Sequence, residues 1–131
     1  MPHLQFEVSE PLDDAAVDAF VTWVTELFSD VMATGTAHVA VTVRDDVAVS
    51  IGRADDAPVA VLNADIRAGR SAAQRREFAT TVIDELEDRW SIPTSHCYVV
   101  FTEHPGEDFH LDEGPLSGWS SEEGEAGGPI G

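Results

Sequence analysis

The chain has 131 residues, of which 43% are hydrophobic, and this suits one compact domain that buries about two-thirds of its unfolded surface. It carries 25 acidic residues, 7 arginines and no lysine, and its formal net charge of -18 is opposite in sign to that of a nucleic-acid-binding protein. No apolar run approaches the ~20 residues of a membrane span, and the beginning of the chain lacks the pattern of a secretory signal. We therefore expect a cytoplasmic protein that binds neither nucleic acid nor membranes.

The first half of the chain predicts a strand, a long helix and a second strand. Apolar and polar residues alternate over residues 4–8, the pattern of a half-buried strand. An acidic pair beginning at Asp13 suits a helix N-terminus, and apolar residues at helical spacing continue over residues 17–31 until Gly35 ends the helix. Alternation returns over residues 39–43, which predicts the second strand.

The second half repeats this order. An almost continuous apolar run over residues 59–64 predicts a strand, and Ser71 with Gln74 forms the capping-box pattern that begins a helix. Pro93 prevents that helix from continuing, and residues 98–101 give the last strong strand signal.

The two halves together predict an α+β fold. Two β-α-β units with parallel strands would share one four-stranded sheet and place both helices on one face. His38 and His96 occupy equivalent places in the two units, and Pro2 lies opposite Pro58. A further apolar alternation over residues 47–51 suggests a short additional strand between the units.

The composition changes after Gly106, where the chain becomes acidic and its end is rich in glycine. We expect a single domain over residues 1–119, in which residues 108–119 are ordered by packing. Residues 120–131 are expected to form a solvated, disordered acidic tail.

Pro2 directly follows the initiator methionine and is the strongest chemical signal in the sequence. Removal of Met1 would make Pro2 a free secondary amine, and because α-amino groups titrate around ~8, such an amine can act as a base near neutral pH. The alternative is that Pro2 only forms a new N-terminus after processing. Pro58 has a similar local setting, but its amide nitrogen cannot serve as a base.

Short motifs, in a common order and spacing, match one known group of proteins. The motifs are Gly69-Arg70-Ser71 with Gln74, residues 99–103 and Phe109 for 4-oxalocrotonate tautomerase, residues 1–4 for carboxymethyl-hydroxymuconate isomerase, and residues 33–35 with Gly118-Trp119 for macrophage migration inhibitory factor. Over residues 2 to about 119 the chain therefore resembles the tautomerase superfamily. Its acidity without lysine resembles proteins of extreme halophiles.

The resemblance implies a homotrimer of β-α-β-β-α-β subunits, with active sites at the subunit interfaces and with no metal or organic cofactor. In such sites the N-terminal proline moves a proton between carbon and oxygen. We therefore expect an isomerase, a cofactor-free keto–enol tautomerase that acts on a small anionic substrate, a 2-oxo or 2-hydroxydienoic acid, with Pro2 as general acid/base. A decarboxylase or hydratase-dehalogenase of the same superfamily, and a non-catalytic trimeric binding module, are the alternatives.

Two arginines are the first candidates for substrate binding. Arg70 precedes a helix N-terminus, and its planar guanidinium can bind a carboxylate through two hydrogen bonds. Arg67 lies three residues earlier, a spacing that resembles the hydrolytic dehalogenases of the superfamily, and it could hold the 2-oxo group and stabilise the enolate oxygen. Because the chain is so acidic, ion pairing at the surface is the alternative for both arginines.

The resemblance adds three further candidates. Tyr98 falls at the position of a site tyrosine in the migration inhibitory factor branch, Phe109 matches an apolar wall residue, and His38 lies near an aromatic position of that pocket. A half-buried strand tyrosine, ordinary packing and a structural histidine are the respective alternatives. Val100 replaces the tyrosine with which the dehalogenases activate water, so proton transfer is favoured over hydration. The histidines and Cys97 show no metal-ligand spacing, and we expect no metal site.

Overall fold

The structure is a computed structural model that describes residues 2–56 and 58–116. Met1, the Gly118-Trp119 motif and the expected tail over residues 120–131 lie outside the described residues, so the expectations about them stay predictions. The elements, in chain order, are β1 (His3–Val8), α1 (Asp14–Met32), β2 (Ala40–Arg44), β3 (Ala60–Arg67), α2 (Ala72–Trp90), β4 (Cys97–His104), β5 (His110–Leu111) and β6 (Gly114–Pro115), with single 3-10 turns at Thr94–His96 and Gly106–Asp108.

Four strands form one sheet in the order β2-β1-β3-β4. Strand β1 runs parallel to β2, and β3 runs parallel to β4, as expected for two β-α-β units. The two units are joined by the antiparallel pair of β1 and β3, in which His3 lies opposite Asp65 and Val8 lies opposite Ala60. The predicted α+β class and the β-α-β-β-α-β order are therefore confirmed.

The core lies between the two helices and one face of the sheet. Along β1 the side chains of Leu4, Phe6 and Val8 are buried and alternate with half-buried polar residues. From the helices, Phe20 packs edge-on against Phe6, with ring centroids 5.0 Å apart, and joins the same core. Of the helices in the described residues, neither α1 nor α2 is apolar enough over its length to cross a membrane.

Local capping sets the ends of both helices. Ser71 and Gln74 form the predicted capping box at the beginning of α2, because each side chain accepts a hydrogen bond from the backbone N–H of the other residue. The prediction that Gly35 ends α1 is wrong, since the helix ends at Met32 and Ala33 takes the left-handed conformation with φ 53°. Ala33 and Thr34 both donate their backbone N–H to Ser29 O, which closes the helix two residues before the glycine.

The additional strand predicted over residues 47–51 is absent from the described part of the chain. After β2 the backbone turns at Asp46, which has a φ of 53°. The segment then runs past the end of β1, where Val47 N donates to Val8 O at 3.3 Å. Because β1 ends at Val8, the residues after Val47 find no ladder partner on that strand, although their sequence alternates as a strand would.

The two units correspond at a constant offset of 58 residues, because α1 begins and ends at residues 14 and 32 and α2 at residues 72 and 90. The same offset relates buried pairs of the core, such as Phe20 with Phe78 and Leu4 with Leu62. It also relates His38 to His96, as the sequence predicts. The counterpart of Pro2 is Ala60, however, so Pro58 lies two residues before the equivalent position.

Phe78 tests the shared core. Its ring is fully buried and lies 5.4 Å from the ring of Phe28 and 6.3 Å from that of Phe101. We expect Phe78→Ala to lower the free energy of unfolding by about 3–5 kcal/mol, because it removes these contacts and leaves a cavity. Thr80→Ala, at an exposed position of the same helix, should change it by no more than about 0.5 kcal/mol. Denaturant titration at one salt concentration measures both, and equal effects would contradict the core assignment.

Candidate active site

Pro2 is buried at one end of the sheet. Its carbonyl oxygen accepts a hydrogen bond of 3.1 Å from Ala40 N at the beginning of β2. The next residue, His3, pairs with Ala40 on one side and with Asp65 of β3 on the other. Pro2 is thus held where β1 and β2 begin and where β3 ends.

Arg67 is the last residue of β3 and comes to the same end of the sheet. It pairs with His104 of β4 and lies two residues beyond Asp65. Only 1% of Arg67 is exposed, and it is among the largest fully buried side chains of the described residues. Arg67 is therefore not an exposed surface arginine.

Arg70 is also buried, with 4% exposed, and it contacts the last part of α1. Its Nε donates to Met32 O, at the end of α1, over 3.4 Å, and its Cζ lies 6.0 Å from the centroid of the Phe28 ring. Arg75 Nη1 donates to the carbonyl of Arg70 at 2.8 Å. Arg70 therefore ties the end of α1 to the beginning of α2, and a substrate carboxylate would have to reach it through this packing.

The sequence did not reveal a hydrogen-bonded pair beside Arg67. His104 Nε2 and Asp65 Oδ1 are 2.8 Å apart, and each side chain is about a third exposed, 33% and 35%. Gln5 Nε2 approaches the other carboxylate oxygen of Asp65 at 3.5 Å. All three side chains project from the sheet face opposite the helices. The sequence pattern that could have indicated this pair is the alternation in β3 of polar residues with Leu, Ala and Ile, which are buried in the structure.

Three predicted residues remain, and the structure brings two of them to this end. Phe109 stacks edge-on against His104, with ring centroids 5.5 Å apart. His38 is half-buried and lies two residues before Ala40, the residue that binds the Pro2 carbonyl. Tyr98 does not join them within one chain. Tyr98 pairs with Val61, which lies opposite Glu7. Because Glu7 is five residues from Pro2 along β1, Tyr98 lies roughly 17 Å along the sheet from Pro2.

This end of the sheet combines the buried guanidinium of Arg67 with the Asp65–His104 pair. A buried guanidinium can hold a carboxylate and stabilise negative charge that develops on an oxygen. Within residues 2–56 and 58–116 no three His, Cys, Asp or Glu side chains converge as ligands for a metal ion.

The comparisons with known proteins rest on structure, since neither a protein-family model nor a curated protein sequence matches the chain. The solved structure of N1, a member of the cis-3-chloroacrylic acid dehalogenase family, aligns with 91% of this chain and 87% of its own, with a TM-score of 0.76 and 26% identity. Macrophage migration inhibitory factor 2 from Leishmania major aligns over 88% and 97%, with a TM-score of 0.75 and 17% identity. The chain has the tautomerase-superfamily fold.

A third solved structure with this fold is that of a chemically inactivated protein. It is Pt0534, which was solved as inactivated by 2-oxo-3-pentynoate. It aligns with 88% of this chain and 95% of its own length, with a TM-score of 0.77 and 14% identity. The resemblance drawn from the motifs is thus confirmed at the level of the fold.

Cys97 is a buried nucleophile of this tautomerase fold that we expect to be inert. It begins β4, and its thiol donates to Pro93 O at 3.5 Å. Burial, and then the nearby carboxylate of Glu87, raise the pKa of the thiol from 9.0 to about 11. The protonated thiol therefore dominates near neutral pH.

The raised pKa of Cys97 predicts a pH dependence of stability. The unfolded chain ionises this thiol above pH 9.0, whereas the folded chain keeps it protonated up to about 11, so stability falls as pH rises through this window. We expect Cys97→Ala to weaken that fall in denaturant titrations at pH 8 and pH 10.5. An identical pH dependence in both proteins would contradict the assignment.

Proposed function

We propose that the protein is a cytoplasmic, cofactor-free keto–enol tautomerase that acts on small 2-oxo or 2-hydroxydienoic acids. Pro2, freed by removal of Met1, is its general acid/base. The observation that supports this most directly is the burial of Pro2 at the end of the sheet to which β3 brings Arg67, itself 1% exposed. In this proposal Pro2 is the base and Arg67 the anion-binding cation, and the burial of both supports a site shielded from water.

The proton transfer follows from the charge of the groups in the site. The neutral amine of Pro2 takes a proton from the enol hydroxyl, or from carbon in the reverse direction, and the prolinium returns it to the other atom. Burial and the neighbouring guanidinium both disfavour the charged prolinium, which favours the neutral amine near neutral pH. Negative charge grows on the 2-oxo oxygen during the transfer, and Arg67 stabilises it in surroundings of low dielectric.

The remaining candidates bind the substrate. Arg70 would anchor the carboxylate, while Phe109 and His38 would line the site and limit the access of water. Tyr98 requires a neighbouring subunit, because in its own chain it lies about 17 Å along the sheet from Pro2. A homotrimer with sites between subunits, as the resemblance implies, would bring the tyrosine of one subunit to the proline of the next.

A hydratase-dehalogenase is the second candidate, and two observations favour it. N1 belongs to the cis-3-chloroacrylic acid dehalogenase family and is 26% identical to this chain. The Asp65–His104 pair, at 2.8 Å, could also polarise a water molecule. Against it, Val100 stands where the resemblance to the dehalogenases implies a tyrosine. Turnover of 3-chloroacrylate without ketonisation of phenylenolpyruvate would support this second candidate over the first.

Pro2→Ala tests the general acid/base. We expect Met1 to be absent from the intact mass of the purified protein, and Pro2→Ala to slow phenylenolpyruvate ketonisation by about 100-fold or more, because general acid/base catalysis contributes at least that much. Pro58→Ala is the matched control, since it removes a proline whose nitrogen is an amide, and it should retain the activity. Full activity in Pro2→Ala, or Met1 retained in protein from its native host, would contradict the mechanism.

A covalent probe gives the same prediction a second readout. Pt0534 is inactivated by 2-oxo-3-pentynoate, and a free amine can add to the alkyne of that compound with no atom lost. We expect the mass of this protein to rise by one intact molecule, on the peptide that begins with Pro2. Labelling at Cys97 instead would show that the amine is not the reactive nucleophile.

Arg67 is tested by removing its charge. We expect Arg67→Gln to lower kcat/KM by roughly 100-fold or more, the loss typical when a group that stabilises an oxyanion is removed. Arg76→Gln, at an exposed position on α2, is the control for the change in net charge. Because Arg67 is buried, Arg67→Lys and circular dichroism separate lost function from lost folding. Equal activity of folded Arg67→Gln and Arg76→Gln would remove Arg67 from the site.

A further inference from the structure

A cavity of about 320 Å³ lies at the end of the sheet away from Pro2 and is partly open to solvent. It is formed where β1 ends, where the chain approaches α1, and where α2 ends. Its lining includes Val8, Glu10, Leu12, Trp90, Ser91 and Ile92. Apart from Glu10 and Ser91 these side chains are apolar or aromatic, a composition typical of a site for a small molecule.

The 58-residue correspondence explains why the cavity is present. It relates Leu12 to Arg70, and it relates Trp90, the last residue of α2, to Met32, the last residue of α1. The cavity beside the end of α2 therefore corresponds to the space beside the end of α1, which the side chain of Arg70 fills. Leucine is shorter than arginine and carries no charge, so it leaves part of that space unfilled.

Arg70 shows which chemistry suits this space. The Nε of Arg70 donates to Met32 O over 3.4 Å, so a cation lies against the C-terminal end of α1, the helix of the first unit. The last carbonyl groups of a helix have no donors within the helix, and they carry the negative end of its dipole. At the end of α2 the corresponding side chain, Leu12, can provide neither a donor nor a positive charge.

Two carboxylates lie at the cavity. Glu10 belongs to the lining, and Asp45 lies beside it, because Asp45 Oδ2 accepts a hydrogen bond of 2.7 Å from Leu12 N. The basic residue in the last turn of α2, Arg89, is engaged elsewhere. Its Nε lies 2.5 Å from Glu85, and its Cζ lies 5.8 Å from the centroid of the Trp23 ring.

We propose that this cavity binds a small organic cation, a guanidinium or primary ammonium group on a short apolar stem. The cation takes the place that Arg70 has in the other unit, against the carboxylate of Glu10 and the carbonyl of Trp90, the counterpart of Met32. The carbonyls of Leu86 and Glu87 already accept backbone N–H groups at the cap of α2. The stem packs on Trp90, Val8 and Ile92, and burial of its apolar surface favours binding. The electron-rich face of the Trp90 indole attracts the cation. This site is separate from the Pro2 end and takes a ligand of opposite charge.

The test is isothermal titration calorimetry of butylguanidinium chloride into the full chain at constant ionic strength. Butanol and sodium butyrate, with the same stem, serve as the neutral and anionic comparisons. We expect saturable binding of butylguanidinium with one site per chain, and no saturable binding of the other two. Leu12→Arg should abolish binding, because a tethered guanidinium then fills the cavity as Arg70 does in the first unit.

Two further variants separate the cavity from the acidic surface. Glu10→Gln should weaken binding by about fivefold, the effect of one partly exposed ion pair. Glu26→Gln removes the same charge from an exposed position of α1 and should leave the affinity unchanged. These variants also test the proposal if Leu12→Arg does not fold. Absence of saturable butylguanidinium binding, equal binding of butanol, or equal affinity in Glu10→Gln and Glu26→Gln would overturn it.

Discussion

The antiparallel pairing of β1 with β3 is the interaction on which the rest of the structure depends. Its six residue pairs, from His3–Asp65 to Val8–Ala60, join two β-α-β units that would each have only a two-stranded sheet and one helix. A two-stranded sheet with one helix has too few apolar contacts to be stable alone, whereas the joined units bury their apolar residues in one shared core. The same pairing decides which residues meet at each end of the sheet. The proposed active site lies at one end, and the cavity lies at the other.

Most of the fold could be predicted from the sequence because its signals are local. Alternation in the strands, the acidic residue at Asp13 and the capping box at Ser71 depend only on neighbours along the chain, and each is present in the structure. The failures depend on contacts that are distant in sequence. Residues 47–51 alternate like a strand, but a strand also needs an edge to pair with, and β1 ends at Val8. Gly35 was a plausible helix end, but the hydrogen-bonding capacity of Ser29 O closes the helix earlier.

Less of the candidate site could be predicted, because cross-strand register and burial decide it. The Asp65–His104 pair exists only because β3 and β4 are in a register that brings these side chains to one face, and a shift of one residue would separate them. The burial of Arg67 was also hidden, since arginine is usually exposed and this chain offers many acidic partners. Tyr98 is a candidate by resemblance alone, and its register places it roughly 17 Å along the sheet from Pro2 within one chain.

The arrangement of charge resolves a difficulty of the proposed function, which is that a chain with a net charge of -18 should repel an anionic substrate. Surface carboxylates act across water and are screened within about 8 Å at physiological ionic strength, and within about 3 Å in molar salt. Buried guanidinium groups act in a medium of lower dielectric and are screened much less. With 7 arginines and no lysine, the chain buries two of its cations, Arg67 and Arg70, towards the same end as Pro2. Rising salt therefore weakens the repulsion from the surface more than the attraction at the site, so substrate binding should not weaken as it would at an exposed cationic patch.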